Sequence, residues 1–261
     1  MKVTIVGKGG VGKTTIAACL ARLIGRNGYR VIAVDADPSL NLASSLGILK
    51  RESEKFPTLF SEEEFIKSRT MLPEGLYIMN PKVDDIVEKF GIKGPDNVIL
   101  IKFGEIKSGG TRCLCPEYAF LRTLFSHLIL GRGEIVIFDM VAGLEHMSRG
   151  ATRGVDLMVC ITEPSIKSIE VAVQMQKLAK DIHIKDFVIV ANKVRDLKDV
   201  ELIERYFRKN IILSVIPYDE NIIEADKLGI SLIDYAPNSD AVKAINELKE
   251  LILSIYLLKK K

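Results

Sequence analysis

Residues 7–15 read Gly7-Lys8-Gly9-Gly10-Val11-Gly12-Lys13-Thr14-Thr15. Gly7, Gly12, Lys13 and Thr14 fit the G-x-x-x-x-G-K-[ST] pattern of a phosphate-binding P-loop. The flanks supply the context this pattern needs. Val3, Thr4, Ile5 and Val6 form an apolar run before it, and Ile16, Ala17, Leu20, Leu23 and Ile24 recur at helical spacing after it. The glycines of such a loop let consecutive N–H groups, Gly9, Gly10, Val11 and Thr15 included, turn towards phosphate oxygens. The positive end of the following helix lies behind them. Lys13 is then expected to reach the β- and γ-phosphates, and the Thr14 hydroxyl to ligate Mg²⁺.

The rest of the chain is compatible with a large α/β core. Its 261 residues are 48% hydrophobic and 27% charged, with a net charge of +3. That charge is too small to argue for nucleic acid on its own. The N-terminus enters a strand directly, and no apolar run approaches the ~18 residues of a membrane span, so a cytoplasmic location is expected.

Strand-like and helix-like stretches alternate. VTIVG, RVIAVDAD, YIMN, VILIKF, EIVIFDM, LMVCIT, FVIVANK and IILSVIP read as strands, and Ser165 to about Ile182 reads as a helix. Strands this apolar are buried on both faces. The expected fold is therefore α/β, a three-layer P-loop NTPase fold with a mostly parallel central sheet and helices on both faces. No linker or repeat divides the chain, so residues 1–261 are expected to form a single domain. The charged stretch 50–75 is expected to be a surface excursion. Asp240 to Leu258 has helical apolar spacing and runs into Lys259, Lys260 and Lys261. It reads as a last helix packed on the sheet, with a membrane-surface helix as the alternative.

Acids at strand ends give the P-loop its chemistry. Asp35 and Asp37 close the second strand, and Asp139 closes EIVIF ahead of Ala142 and Gly143. Ligands of open parallel sheets sit outside these carboxyl ends. Asp37 is there placed to orient an attacking water, and Asp139 to hold a Mg²⁺-bound water.

With Lys8 added, K-G-G-x-G-K-T resembles the deviant P-loop of the MinD/ParA/nitrogenase-iron-protein ATPases. The resemblance implies a face-to-face homodimer formed on ATP or metal binding, in which Lys8 reaches the phosphates of the partner subunit. It also implies an adenine site near Asn192, Lys193, Pro217, Tyr218, Asp219 and Glu220. A guanine-reading N-K-x-D needs an acid at position 195, where Arg195 stands. Asp196, one residue later, leaves GTP as a residual alternative.

Cys19 and Cys160 fall in apolar stretches and read as small buried hydrophobes. Cys113 and Cys115 form a C-x-C, followed by Pro116 at a suitable first helical position. A helix N-terminus and Arg112 lower thiol pKa, with Glu117 opposing them, so these thiols read as reactive or metal-binding. Two sulfurs make half of a four-coordinate site, and a two-fold dimer would complete it for Ni²⁺, Zn²⁺ or an iron–sulfur cluster.

K-G-G-V-G-K-T-T, D-A-D-P, C-L-C-P and D-M-V-A-G-L-E-H, with T-E-P-S at 162–165, resemble the CooC-type nickel-insertion ATPases of carbon monoxide dehydrogenase and its acetyl-CoA synthase complex. The resemblance implies Ni²⁺ or Zn²⁺ carried by Cys113 and Cys115, with the dehydrogenase catalytic subunit as target. It implies neither nucleic-acid binding nor stable membrane association. Ala142 stands where the nitrogenase iron protein has a cluster cysteine, so that cluster site is not reproduced. Val141 replaces the acid that often precedes A-G in relatives, and His146 lacks a second histidine at ligand spacing. A MinD/ParA-type positioning ATPase, with membrane or DNA output, is one alternative. An iron–sulfur carrier ATPase is the other.

Overall fold

The computed structural model describes residues 1–72, 78, 85–104, 133–141, 154–208 and 211–258. Its eight strands are β1 (Lys2–Gly7), β2 (Arg30–Asp35), β3 (Ile92–Lys93), β4 (Val98–Lys102), β5 (Glu134–Asp139), β6 (Leu157–Thr162), β7 (Asp186–Val194) and β8 (Ile212–Pro217). They form one sheet in the order β3-β4-β2-β5-β1-β6-β7-β8. All pairings are parallel except β3 with β4. The fold is therefore the predicted mostly parallel P-loop α/β sheet. Antiparallel β3 was not anticipated, because two residues carry no periodic signal.

Period-two alternation divides the sheet between two cores. Val3 and Ile5 face a core built with helix α1 (Lys13–Arg26) and the C-terminal helix α10 (Asp240–Leu258). Val6, Ile32, Phe138 and Met158 face the other core, with helix α6 (Ile166–Asp181). Inner strands buried on both sides explain the unbroken apolar runs. Cys19 and Cys160 are fully enclosed, one in each core, and burial pushes both thiols up to about 12. They are inert apolar filler.

Between β2 and β3 lie α2 (Leu42–Ser45), α3 (Lys50–Ser53), a 3₁₀ turn at Leu59–Ser61, α4 (Glu63–Thr70) and α5 (Ile86–Phe90). Leu59, Phe60, Ile66 and Thr70 are buried, so the expected surface excursion instead covers part of the second core. Its sparse apolar residues are anchors, hidden from a periodicity reading by the charges around them. Of YIMN, only Ile78 lies within the described residues.

Past β7 the chain forms α7 (Leu197–Glu204), and after β8 come α8 (Glu220–Leu228) and α9 (Leu232–Tyr235). α1 is so enclosed that Arg22 is only 4% exposed. Its guanidinium is held by Asp96 at 2.6 Å and Asp234 at 2.9 Å, tying α1 to the β3–β4 turn and to α9. Gly25 marks the same closeness, since a Cβ there would lie 1.7 Å from the Asp96 carbonyl oxygen.

α10 spends its apolar stripe on this core. Ala241, Val242, Ile245, Leu248, Ile252, Leu253 and Tyr256 are buried. Leu251, Leu257 and Leu258 remain exposed, and residues 259–261 lie outside the described set. This is the packed helix of the first expectation. No helix among the described residues is long and apolar enough to cross a membrane.

Candidate nucleotide-binding site

β1 lies where the strand order reverses, with β5 and β2 on one side and β6 and β7 on the other. That switch point opens a crevice at the carboxyl ends of the strands, and Gly7–Gly12 enter it directly from β1. The loop is tightly specified. Gly7, Gly10 and Gly12 have φ of 147°, 81° and 95°. A Cβ on Gly7 would meet the Ile161 carbonyl oxygen at 2.3 Å, and one on Gly12 would meet Asn192 Nδ2 at 2.5 Å. Gly12 caps α1 in the left-handed conformation without a side-chain bond, leaving the helix N-terminus to a ligand.

The loop carbonyls are held by side chains. Lys13 Nζ donates to the Lys8 carbonyl at 3.3 Å, Lys193 Nζ to Gly10 at 2.7 Å and Asn192 Nδ2 to Val11 at 2.7 Å. Anchoring these oxygens favours the cradle arrangement of the N–H groups. Gly9 and Gly10 are exposed at the apex, with Lys8, Thr14 and Thr15 half-buried.

Three acids gather at neighbouring strand ends. Asp35 is in register with Asp139 on β5 and with Lys102 on β4. Both carboxylate oxygens of Asp139 are buried without a well-formed hydrogen bond. Burial pushes this carboxyl up to about 6, while the nearby Thr14 side chain and Lys13 charge pull it down. Two orphaned oxygens beside a threonine hydroxyl are donors that a divalent cation satisfies, so these residues fit Mg²⁺. Asp37 is half-buried. Its Oδ1 accepts from Ser39 N at 2.9 Å and Ser39 Oγ at 2.6 Å, and its charge is felt by both Lys13 and Asp139. Lys13 is buried, which lowers its pKa against the opposing pull of Asp139 and Asp37.

Asp35 has a role the sequence did not disclose. Its two oxygens accept from Asp37 N at 3.2 Å and Leu42 N at 3.0 Å, clasping both ends of the loop that presents Asp37. Burial raises its pKa to about 7 despite these bonds. The paired acids of D-A-D-P were the available signal, but not which acid turns inward.

A pH response follows from these acids. Asp35 and Asp139 titrate above the ordinary carboxylate value of about 4, so between about pH 4 and 7 the folded chain holds more protons than the unfolded one. Their contribution to stability therefore falls as pH rises through that window. Asp96 and Asp219 are shifted down and act with the opposite sign, losing stability only as pH falls below the carboxylate range. Thermal midpoints of ligand-free protein at pH 5, 6 and 7 test this. The Asp139→Asn variant should show a less negative slope than wild type, whereas equal slopes would contradict the assignment.

Beside the loop is a cavity of about 160 Å³, lined by Gly12, Thr15, Asn192, Pro217, Tyr218 and Ile245 among others. Its walls are mainly apolar. Lys193 and Asp219 also border it, but their charged ends are engaged elsewhere. Lys193 reaches Gly10 and Glu163 Oε2, the latter at 3.1 Å. Asp219 accepts from Asn221 N at 2.9 Å and Ala241 N at 3.2 Å, capping α8 and bracing the start of α10. Glu220 is the exposed first residue of α8. Asp196 caps α7, with one oxygen accepting from Lys198 N and Asp199 N at 2.9 and 3.1 Å. Arg195 lies over the Tyr218 ring at 4.2 Å.

Cys113, Cys115, Arg112, Pro116, Glu117, Ala142, Gly143 and His146 lie outside the described residues. Among the described residues, no three of His, Cys, Asp and Glu converge as a metal site.

Residues 2–233 match the CobQ/CobB/MinD/ParA nucleotide binding domain. An uncharacterized ATP-binding protein of Methanocaldococcus jannaschii is 41% identical, over 99% of both chains. The carbon monoxide dehydrogenase accessory protein CooC of Rhodospirillum rubrum is 39% identical, over 91% of both. A chain of the MinC:MinD cell division protein complex of Aquifex aeolicus superposes with a TM-score of 0.73 at 20% identity, covering 97% of this chain and 95% of that one. The strand order, the glycine loop after β1 and these similarities agree: the chain belongs to the CobQ/CobB/MinD/ParA nucleotide-binding family and is a P-loop ATPase.

Proposed function

We propose that the chain is a cytoplasmic, Mg²⁺-dependent ATPase that works as a homodimer and delivers nickel to carbon monoxide dehydrogenase or its acetyl-CoA synthase complex. The observation that carries this reading is the 39% identity to the CooC accessory protein over 91% of each chain. The C-x-C at Cys113 and Cys115 supports it by supplying a thiolate pair suited to Ni²⁺ or Zn²⁺ as cargo. All 261 residues would act as one ATPase domain.

In this reading the N–H groups of Gly9–Thr15 and the Lys13 ammonium bind the phosphates, and Lys8 adds a second ammonium from the partner subunit. Thr14 and Asp139 would hold Mg²⁺, which supplies charge neutralisation at the β- and γ-phosphates. Asp37 would orient the water, with Ser39 fixing the carboxylate. Adenine would enter the cavity beside Pro217 and Tyr218. Asn192 Nδ2 is committed to Val11, while its buried Oδ1 has no partner. The remaining acceptor suits the amino group of adenine and opposes the carbonyl of guanine. Binding of Mg-ADP and Mg-GDP checks this, with a preference for ADP of about a hundred-fold expected. Equal affinities would remove Asn192 and the cavity from base selection.

A MinD/ParA-type positioning ATPase is the second reading, favoured by the structural likeness to MinD. Its best sequence support was the tail from Leu251 to Lys261, in which Ile252, Leu253 and Tyr256 are buried against the core, Leu251, Leu257 and Leu258 are exposed, and residues 259–261 lie outside the described residues. Neither membrane nor nucleic-acid binding is part of the proposal. ATP-dependent co-sedimentation with liposomes or DNA would favour the second reading.

A further inference from the structure

We propose that Glu163, acting through Lys193, is a positioning residue for the phosphate-binding loop. The inference rests on the reading of Gly7–Thr14 as the phosphate site.

Three neighbouring strand ends meet at this point. Lys193 Nζ lies 2.7 Å from the Gly10 carbonyl oxygen and 3.1 Å from Glu163 Oε2, so one ammonium links the P-loop after β1 to the residue following β6. β7 is built to deliver it. The β7–β8 register is irregular between Ala191 and Val194, and Lys193 takes a φ of 61° inside that irregularity. A non-glycine residue held left-handed costs free energy, and an irregular strand end re-aims a side chain. Here the re-aimed side chain reaches the P-loop apex.

Glu163 is held as firmly. Its backbone N–H donates to Ser168 Oγ at 3.2 Å, its carbonyl accepts from Ser165 N at 2.7 Å, and Ser165 caps α6. These bonds fix the Glu163 backbone relative to β6 and α6, Ser165 Oγ reaches the carboxylate at 3.5 Å, and Oε2 faces the ammonium that meets Gly10. Lys193 draws the Gly10 carbonyl away from the ligand, and Asn192 does the same for Val11. Consecutive loop carbonyls turned outward favour N–H groups turned inward. This differs from a lysine that contacts the base, and the two roles separate by ligand.

The test measures dissociation constants of Mg-ADP and inorganic tripolyphosphate on the full chain. The proteins are wild type, Glu163→Gln, Lys193→Met, the double variant and a Lys13→Ala control. Glu163→Gln should weaken both ligands about two- to five-fold, the range of a partly exposed ion pair. Lys193→Met should weaken both about ten-fold, because a charge-assisted bond to the loop is lost. The double variant should be no worse than Lys193→Met, since both residues act through one contact. No change in Glu163→Gln, additive losses, or a loss confined to ADP would overturn the assignment. If Lys13→Ala binds both ligands like wild type, the phosphate-site reading fails and takes this proposal with it.

Discussion

Changing Asp37 to asparagine is expected to slow ATP hydrolysis by about a thousand-fold while leaving the Kd for Mg-ATP within about three-fold of wild type. The carboxylate sits at the crevice, with Oδ1 fixed by Ser39 and its charge sensed by Lys13 and Asp139. Asparagine preserves the shape and can still accept from Ser39, but it removes the charge proposed to orient a water. Single-turnover hydrolysis and equilibrium binding separate these effects. Equal losses in binding and turnover would make Asp37 a structural residue of its loop.

The same variant tests whether Lys8 works across a dimer. Lys13 Nζ meets the Lys8 carbonyl, while among the described residues no carboxylate pairs with the Lys8 ammonium. Lys8→Ala and Asp37→Asn should each be inactive alone. In a mixed dimer, one site would combine an intact Asp37 with the partner's intact Lys8. Randomly mixed chains should recover about a quarter of wild-type activity. No recovery, with mixed dimers verified, would return Lys8 to its own subunit.

Much of this site was legible because its strands are buried on both faces. β1, β2 and β5 read as largely apolar runs, and each ends at residues that the proposed chemistry uses. Helix α6 and its Ser165 cap were also foreseeable, since spacing and a capping hydroxyl act locally. Less legible was the use of side chains whose direction depends on tertiary register. Lys193 was expected beside adenine; it borders the cavity there, while an irregular β7 end turns its ammonium to Gly10 and Glu163. Asp219 belongs to the same loop as the base cavity, but its carboxylate is used to cap α8. Asp35 and Asp37 look alike in sequence. Only the folded chain shows one buried as a clasp and the other facing the crevice.

The second large effect concerns cargo. Cys113→Ala/Cys115→Ala is expected to abolish tight Ni²⁺ binding while leaving Mg-ADP affinity unchanged, since the nucleotide residues are drawn from other parts of the chain. A site with two thiolates per chain would be completed by the partner's pair, because Ni²⁺ and Zn²⁺ both accept four sulfur ligands. The buried Cys19 and Cys160 cannot substitute. Burial holds both as thiols, with pKa values pushed up to about 12, whereas metal ligation requires the thiolate. Residual tight binding in the double variant would therefore point to ligands other than cysteine.

Anaerobic Ni²⁺ equilibrium dialysis, with sizing of the same samples, tests the nickel-delivery claim most directly. The account predicts about one tightly bound ion per two chains, confined to the dimer and lost in Cys113→Ala/Cys115→Ala. Absence of tight binding in wild type, or binding unchanged in the variant, would contradict it and leave a family ATPase whose output lies elsewhere.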